Sequence, residues 1–221
     1  GNCGLNGDIY LRDAIEAGYL PGPRILASTQ ALSSPGGQFG RMPKEVQVLV
    51  AGEYREVSTP EEARKATRAA IADGADLVKV IVDTFPNVLT AEDLKAVVFE
   101  AHRVRRKVAA HAVTSLAIDA ALDAGVDSIE HGYMASDEQF QRMAKMGVFW
   151  VATQPPMEYF FDLTRMTEGE RSSATTMIRD LNKRGQQRLA RARKAGVKIA
   201  AGSDDYYEVP GYTRGTASLG L

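Results

Sequence analysis

The chain is predicted to be an α/β protein in which helices alternate with parallel strands. Three glycines, Gly74, Gly125 and Gly196, each stand between a helix-like stretch and an apolar run. Glycine adopts the left-handed conformation just past a helix without steric cost, so a strand can begin at once. Helix-start signals precede the helical stretches, and the two kinds of segment alternate along the whole chain.

Six strands are expected, one in each apolar run. The runs end near Ser28, Val82, His111, His131, Gln154 and Asp204. A helical stretch between successive runs is the connection that parallel strands need. A complete (β/α)8 barrel has eight strands and about 250 residues. Six strands in 221 residues therefore predict an incomplete barrel that has lost both flanks.

The helices carry recognisable start signals. Four residues are predicted N-caps: Thr59, Thr90, Ser136 and Thr167. The helix after Thr90 is expected to run to about Arg106. The stretch 167–195 contains Gly185, where we expect a bend or a break. The stretch 29–58 is too long for a bare connection and is expected to cover the barrel mouth.

Composition limits the class of protein. With 221 residues, 44% of them hydrophobic, the chain can form one domain over 1–221. A net charge of −1 gives no electrostatic case for a nucleic acid or an anionic membrane as partner. No apolar stretch approaches the ~20 residues of a membrane helix. The single Cys3 excludes an internal disulfide and fits a reducing compartment, so we expect a cytoplasmic protein.

Four polar side chains end predicted strands: Lys79, His111, His131 and Asp204. Side chains alternate along a strand, so Lys79 shares a face with Asp83. By the same rule Ile129 and His131 share a face, and Glu130 takes the other. All four polar residues can point to the C-terminal mouth of a barrel, where the active sites of such folds lie.

The segments around these residues resemble a known metal-ligand series. Val-Lys79-Val, Ala-Ala-His111-Ala, Glu-His131-Gly and Gly-Ser-Asp204 are similar, in this order, to the ligands of the amidohydrolase superfamily. The imidazolonepropionase-like and Xaa-Pro-dipeptidase-like branch is the nearest in pattern. The resemblance implies a TIM-type barrel of which this chain covers strands three to eight. The His-x-His pair that members carry on the first strand is absent from this sequence.

The resemblance also implies a chemistry. One or two divalent metals, with zinc as the expected metal, would activate water to hydrolyse a dipeptide, an N-acyl amino acid or a cyclic amide. An ammonium group cannot ligate a metal, and in this family the lysine that matches Lys79 is commonly carboxylated. Lys79, His111 and His131 would hold one metal, and Asp204 would also ligate and move the proton. Tyr133 and Gln154 are assigned to substrate binding.

Other interpretations stay open. Lys79 could form a Schiff base in a lyase or aldolase, although His111 and His131 then have no joint task. The chain could also be an inactive, truncated barrel with open edge strands, and we expect weak binding of at most one metal and little turnover. Each polar residue has a structural reading too: a lysine reaching solvent, a satisfied core histidine, an aspartate in a turn. A small amide or peptide is the expected partner, and a homo-oligomer is left open.

Overall fold

The computed structural model describes residues 4–40, 43–84, 87–153, 166–202 and 204. The chain divides into two compact units, Gly1–Ala135 and Ser136–Leu221, and each is described by itself. The single domain expected over 1–221 stays a prediction. Within the described ranges, no helix combines the length and the apolar character that a membrane crossing requires.

The first unit alternates helices and strands. Its elements in chain order are α1 (Gly7–Glu16), β1 (Ala31–Ser33), α2 (Lys44–Glu53), β2 (Tyr54–Glu56), α3 (Pro60–Ala72), β3 (Leu77–Ile81), β4 (Asp83–Thr84), β5 (Asn87–Val88), α4 (Ala91–His102), β6 (Lys107–Ala112), α5 (Ser115–Ala124) and β7 (Ser128–His131). Five strands form a sheet in the order β2-β1-β3-β6-β7, and the paired strands run parallel. β4 and β5 form a short antiparallel hairpin.

One face of this sheet is an apolar layer. In register across the strands, Leu32 pairs with Val80, Val80 with Ala110, and Ala110 with Ile129. All four side chains are completely buried. Helices α3, α4 and α5 contact these strands. Burial of this layer in apolar surroundings is the main force that holds the unit together.

The other face of the sheet carries the polar residues. Ser33 pairs with Ile81, Ile81 with His111, and His111 with Glu130. Because side chains alternate along a strand, Lys79 lies on the face of Ile81. The register therefore brings residues from four strands to one surface, as the alternation of β3 predicts.

The second unit contains α6 (Asp137–Met146), β8 (Phe149–Val151), α7 (Glu168–Ala195) and β9 (Lys198–Ala200). β8 and β9 pair in parallel. Phe140 of α6 and Trp150 of β8 are fully buried, with ring centroids 5.1 Å apart. The Phe140–Trp150 contact joins helix to strand, and such aromatic pairs contribute beyond their buried area.

The predicted helix signals are confirmed. The side chains of Thr90, Ser136 and Thr167 each complete a reciprocal capping box. Thr59 accepts a hydrogen bond from the Glu62 amide, while the Glu62 carboxylate accepts one from the Ser58 amide. Local signals of this kind act within one turn of helix and need no tertiary context.

Two predictions about segments are wrong, and the expectation that the stretch 29–58 covers the barrel mouth stays a prediction. No strand ends at Ser28, because the Ser28 and Thr29 amides donate to the Asp8 carboxylate and Thr29 has φ 61°. The strand lies at β1 instead, and the stretch 29–58 contains β1, α2 and β2. Helix α4 ends at His102 rather than near 106, since Arg105 adopts φ 59°.

Helix α7 runs through Gly185 without a break. Gly185 is buried, as are Ala174, Ile178 and Ala192, which recur at spacings of four and seven residues along the helix. One helix face is therefore packed, and packing outweighs the low helix propensity of glycine.

Candidate active site

Lys79 lies in the middle of β3 and is only 8% exposed. Its chain neighbours Val78 and Val80 point to the helix-covered face and are completely buried. Lys79 pairs in register with Ala109 of β6, so its side chain rises from the polar face of the sheet. The expectation that Lys79 ends a strand is wrong, but its side chain lies on the face opposite Val78 and Val80, as alternation along β3 predicts.

His111 lies one residue before the end of β6 and is 7% exposed. The pKa of His111 is lowered to about 4, chiefly by burial and also by the positive charge of Lys79, while the charge of Asp83 opposes the change. A positive charge on Lys79 acts on His111 only if the two side chains are near each other. The imidazole of His111 is therefore neutral near pH 7.

His131 ends β7 and is 6% exposed. Its ring centroid lies 4.4 Å from that of His111, in an edge-to-face arrangement at 67°. The pKa of His131 is lowered to about 3, chiefly by burial and also by His111 and Lys79. Two neutral imidazoles each keep one nitrogen lone pair, which is the form that binds metals.

The backbone at His131 explains how the two rings meet. Glu130 pairs with His111, and Ile129 pairs with Ala110 on the opposite, apolar face. Strict alternation would send His131 to the face of Ile129. His131 instead adopts φ 69°, and the Gly132 amide donates to the carbonyl of Glu130, two residues back, and to that of Ala112, both at 3.0 Å.

This three-residue turn directs the His131 ring to His111. The prediction that Ile129 and His131 share a face, with Glu130 on the other, is therefore wrong. Lys79, His111 and His131 lie near one another, and His131 reaches the site through a turn and not through strand alternation; the predicted convergence of all four residues with Asp204 stays a prediction. A non-glycine residue in the left-handed region is uncommon, and strained residues of this kind cluster at active sites, although Arg105 adopts φ 59° at a helix end.

Asp83 is a polar residue of this site that has no role among the sequence-based predictions. It is 8% exposed, and its Oδ1 lies 3.8 Å from Nε2 of His111. Its oxygens accept hydrogen bonds from the amides of Val113 at 3.0 Å and Thr114 at 2.7 Å. Its place four residues after Lys79, on the same face, was the available signal.

Ser33 and Tyr133 complete the surroundings. Ser33 is completely buried on the polar face, and its hydroxyl makes no hydrogen bond within the described part of the chain. Tyr133 is 39% exposed, with its ring centroid 5.5 Å from that of His131. Tyr133 thus lies beside the histidine pair and is partly open to solvent.

The other two predicted residues, Asp204 and Gln154, do not belong to the first unit. Asp204 belongs to the second unit, is exposed, has φ 50° and lies four residues after the end of β9. The expectation that Asp204 ends a strand is wrong for this reason. Gln154 lies outside the described residues.

A divalent metal would need more than the histidine pair. Across the ranges that the structure describes, no group of three or more His, Cys, Asp or Glu side chains is arranged to hold a metal ion. His111 and His131 supply two neutral imidazoles, and Lys79 is close enough to influence both. Carboxylation of Lys79 would convert an ammonium group into an oxygen ligand, so these three residues fit one metal.

Comparison with known proteins points in the same direction. The model described as "Amidohydrolase family" matches residues 2–217. The chain is 32% identical over 214 residues to ochratoxinase of Aspergillus niger, covering 86% of this chain and 44% of that protein. It is 30% identical over 187 residues to an uncharacterized protein of Mycobacterium tuberculosis, covering 82% of this chain and 48% of the relative.

Solved structures show the same likeness. A prolidase complexed with N-methylphosphonate-L-proline matches with TM-score 0.73 and 28% identity, over 91% of this chain and 53% of that one. A Xaa-Pro dipeptidase with bound methionine matches with TM-score 0.72 and 29% identity, over 93% and 53%. The chain thus spans about half the length of these relatives. The predicted class, a partial TIM-type α/β barrel of the Xaa-Pro-dipeptidase-like branch, is confirmed.

Proposed function

Because the chain belongs to the amidohydrolase family, we propose that it serves in metal-dependent hydrolysis of an amide-type C–N bond. The observation that carries the proposal is the buried, neutral pair His111 and His131 beside Lys79. The names of the similar proteins, an ochratoxinase, a prolidase and a Xaa-Pro dipeptidase, support a hydrolase. The proposed substrate is a dipeptide, an N-acyl amino acid or a cyclic amide.

Each residue has a proposed task. His111 and His131 hold a divalent metal, expected to be zinc, through imidazole nitrogens, and N-carboxylated Lys79 adds an oxygen ligand. The metal, when bound, supplies a Lewis acid and a water of lowered pKa. The buried face around Lys79 excludes bulk water and so strengthens the electrostatic interactions within the site.

Three further roles belong to the proposal. Asp204 would ligate the metal and carry a proton from water to the leaving amine, and Gln154 would bind substrate. Tyr133 supports a substrate contact, because its half-open ring lies beside His131. The small-molecule substrate, the absence of nucleic-acid and membrane partners, a homo-oligomer and a cytoplasmic location stay predictions.

The Schiff-base alternative uses Lys79 alone. It leaves the contact between His111 and His131, both buried and neutral, without a chemical task. Reduction with borohydride in the presence of a carbonyl compound would trap an adduct on Lys79 only under this alternative. If the chain is instead an inactive truncated barrel, the metal site is present but no substrate is hydrolysed.

Metal content tests the proposal directly. The purified 221-residue protein is stripped with a chelator, incubated with zinc and bicarbonate, desalted and measured by elemental analysis. We expect up to one zinc per chain, and its loss in His111→Ala and in His131→Ala. His102→Ala is the matched control, because His102 is an exposed histidine that bonds to Asp127 at 2.7 Å.

Hydrolysis of a panel of N-acyl amino acids and Xaa-Pro dipeptides by the zinc-loaded protein tests the reaction itself. Equal zinc content in His102→Ala, His111→Ala and His131→Ala would contradict the metal site. Zinc bound at His111 and His131 without any hydrolysis would favour the inactive alternative.

A further inference from the structure

We propose that Asp83 is a positioning residue that fixes the tautomer of His111, so that the proton lies on Nε2 and the Nδ1 lone pair is free for the metal. This inference rests on the proposed function for the metal, but the tautomer itself can be measured without any metal. Asp83 would act through His111 and would not touch the substrate.

Position is the first argument. The Asp83 carboxylate is buried, and its Oδ1 faces Nε2 of His111 at 3.8 Å. Both of its oxygens accept from amides of the segment that directly follows His111, Val113 at 3.0 Å and Thr114 at 2.7 Å. The amide of Val82, next to Asp83 in the chain, donates to the carbonyl of His111 at 2.9 Å.

These bonds hold the carboxylate rigidly relative to His111. The end of β3 and the end of β6 are tied together on both sides of the Asp83–His111 pair. A carboxylate held in this way cannot turn from the imidazole without losing two backbone hydrogen bonds. A fixed acceptor beside a ring nitrogen is the arrangement that selects a tautomer.

Charge is the second argument. A neutral imidazole has one N–H and one lone pair, and an ionised carboxylate only accepts hydrogen bonds. A lone pair on Nε2 facing Asp83 would be repelled, whereas an N–H on Nε2 is attracted. A separation of 3.8 Å is too long for a hydrogen bond, so the selection in this geometry is electrostatic.

The chemistry of metal-bound histidine gives the consequence. A histidine that ligates through one nitrogen commonly donates its other N–H to a carboxylate, and removing such a partner costs about 10–100-fold in metal affinity. The charge of Lys79 also acts on His111. Variants that change only Asp83 keep Lys79, so the effect of its charge is the same in the wild type and in these variants. The Asp83 effect can therefore be separated from that of Lys79.

The first test reads the tautomer in the intact, metal-free chain. Protein labelled with ¹⁵N-histidine is studied by long-range ¹H–¹⁵N correlation, with the signals of the three histidines assigned through His→Gln variants. We expect His111 to carry its proton on Nε2. A wild-type His111 protonated on Nδ1 would overturn the inference without the need for any Asp83 variant.

The second test uses Asp83→Asn, which keeps the shape, removes the charge and leaves one of the two backbone amides, Val113 or Thr114, without its acceptor. We expect a mixed or reversed His111 tautomer and a 10–100-fold weaker zinc affinity at unchanged stoichiometry. Asp83→Glu restores a carboxylate and should recover part of the Nε2–H signal. An unchanged tautomer in Asp83→Asn would refute the role of Asp83.

Asp93→Asn is the matched structural control. Asp93 is also a buried carboxylate, 4% exposed, but it caps α4 through Thr90. Its loss should lower stability and leave the His111 tautomer and zinc affinity unchanged. If wild-type protein binds no zinc while Asp83 sets the tautomer, the proposed function fails and the positioning role stands.

Discussion

Replacement of Ser33 by alanine should stabilise the metal-free protein. The Ser33 hydroxyl is completely buried and makes no hydrogen bond to any described residue. A buried polar group without a partner costs about 1–3 kcal/mol. Ser33→Ala removes this cost and loses the packing of one atom, which is worth less than the ~0.8 kcal/mol of a buried methylene. The expected gain in the free energy of unfolding is about 1 kcal/mol.

Ser128→Ala should have the opposite effect. The Ser128 hydroxyl lies on the same face of the same sheet but donates to Glu130 at 2.7 Å. Loss of this partly exposed bond should cost about 0.5–1.5 kcal/mol. Urea denaturation followed by far-UV circular dichroism, in the presence of a chelator, measures both variants. Destabilisation of Ser33→Ala to the same extent as Ser128→Ala would show that the Ser33 hydroxyl is bonded.

Two further predictions concern Glu100 and His131. Hydrogen bonds from Arg68 and then Arg103 lower the pKa of the buried Glu100 from 4.5 to about 2. The ionised Glu100 therefore stabilises the fold fully above pH 4.5, and this stabilisation is lost as the pH falls towards 2. Glu100→Gln should be less stable than the wild type in urea at pH 7 but equal to it near pH 2. His131→Gly should be more stable than His131→Ala by about 1 kcal/mol in the same assay, because alanine at φ 69° is strained and glycine is not.

Controls for these two predictions lie in the same unit. Glu61 is an exposed carboxylate 3.9 Å from Arg64, and Glu61→Gln should change neither the stability nor its dependence on pH. At the strand position of Ser128, the glycine variant should be less stable than the alanine variant, which is the reverse of the order at His131. The reasoning would be refuted if the difference in stability from the wild type changed with pH in the same way for Glu61→Gln and Glu100→Gln. It would also be refuted if the glycine and alanine variants had the same order of stability at Ser128 as at His131.

Local features of the fold were predictable from the sequence. Thr90 and Asp93 cap a helix within one turn, and Gly125 ends the next helix in the left-handed conformation, with φ 84°. The face shared by Lys79 and Ile81 follows from alternation along β3. Such features depend on residues that are neighbours in the sequence, so they can be predicted without knowledge of the tertiary structure.

Features that depend on distant residues were not predictable in this way. The strand expected at Ser28 is displaced because the carboxylate of Asp8, 20 residues away, accepts a hydrogen bond from the Ser28 amide. The contact of Asp83 with Thr114 joins positions 31 residues apart. Nothing in the local pattern around Asp8 or Asp83 indicates which amide each carboxylate will meet. These carboxylates decide where β1 begins and how the end of β6 is held.

The turn at His131 shows where alternation fails and why the failure matters. Alternation predicts that His131 lies on the apolar face with Ile129, where its ring could not meet His111. The left-handed backbone at His131 costs energy, and bonds from the Gly132 amide to two carbonyls offset part of that cost. The turn places the ring of His131 4.4 Å from that of His111. The turn at His131, and not strand alternation, therefore determines that the two histidine rings form a pair.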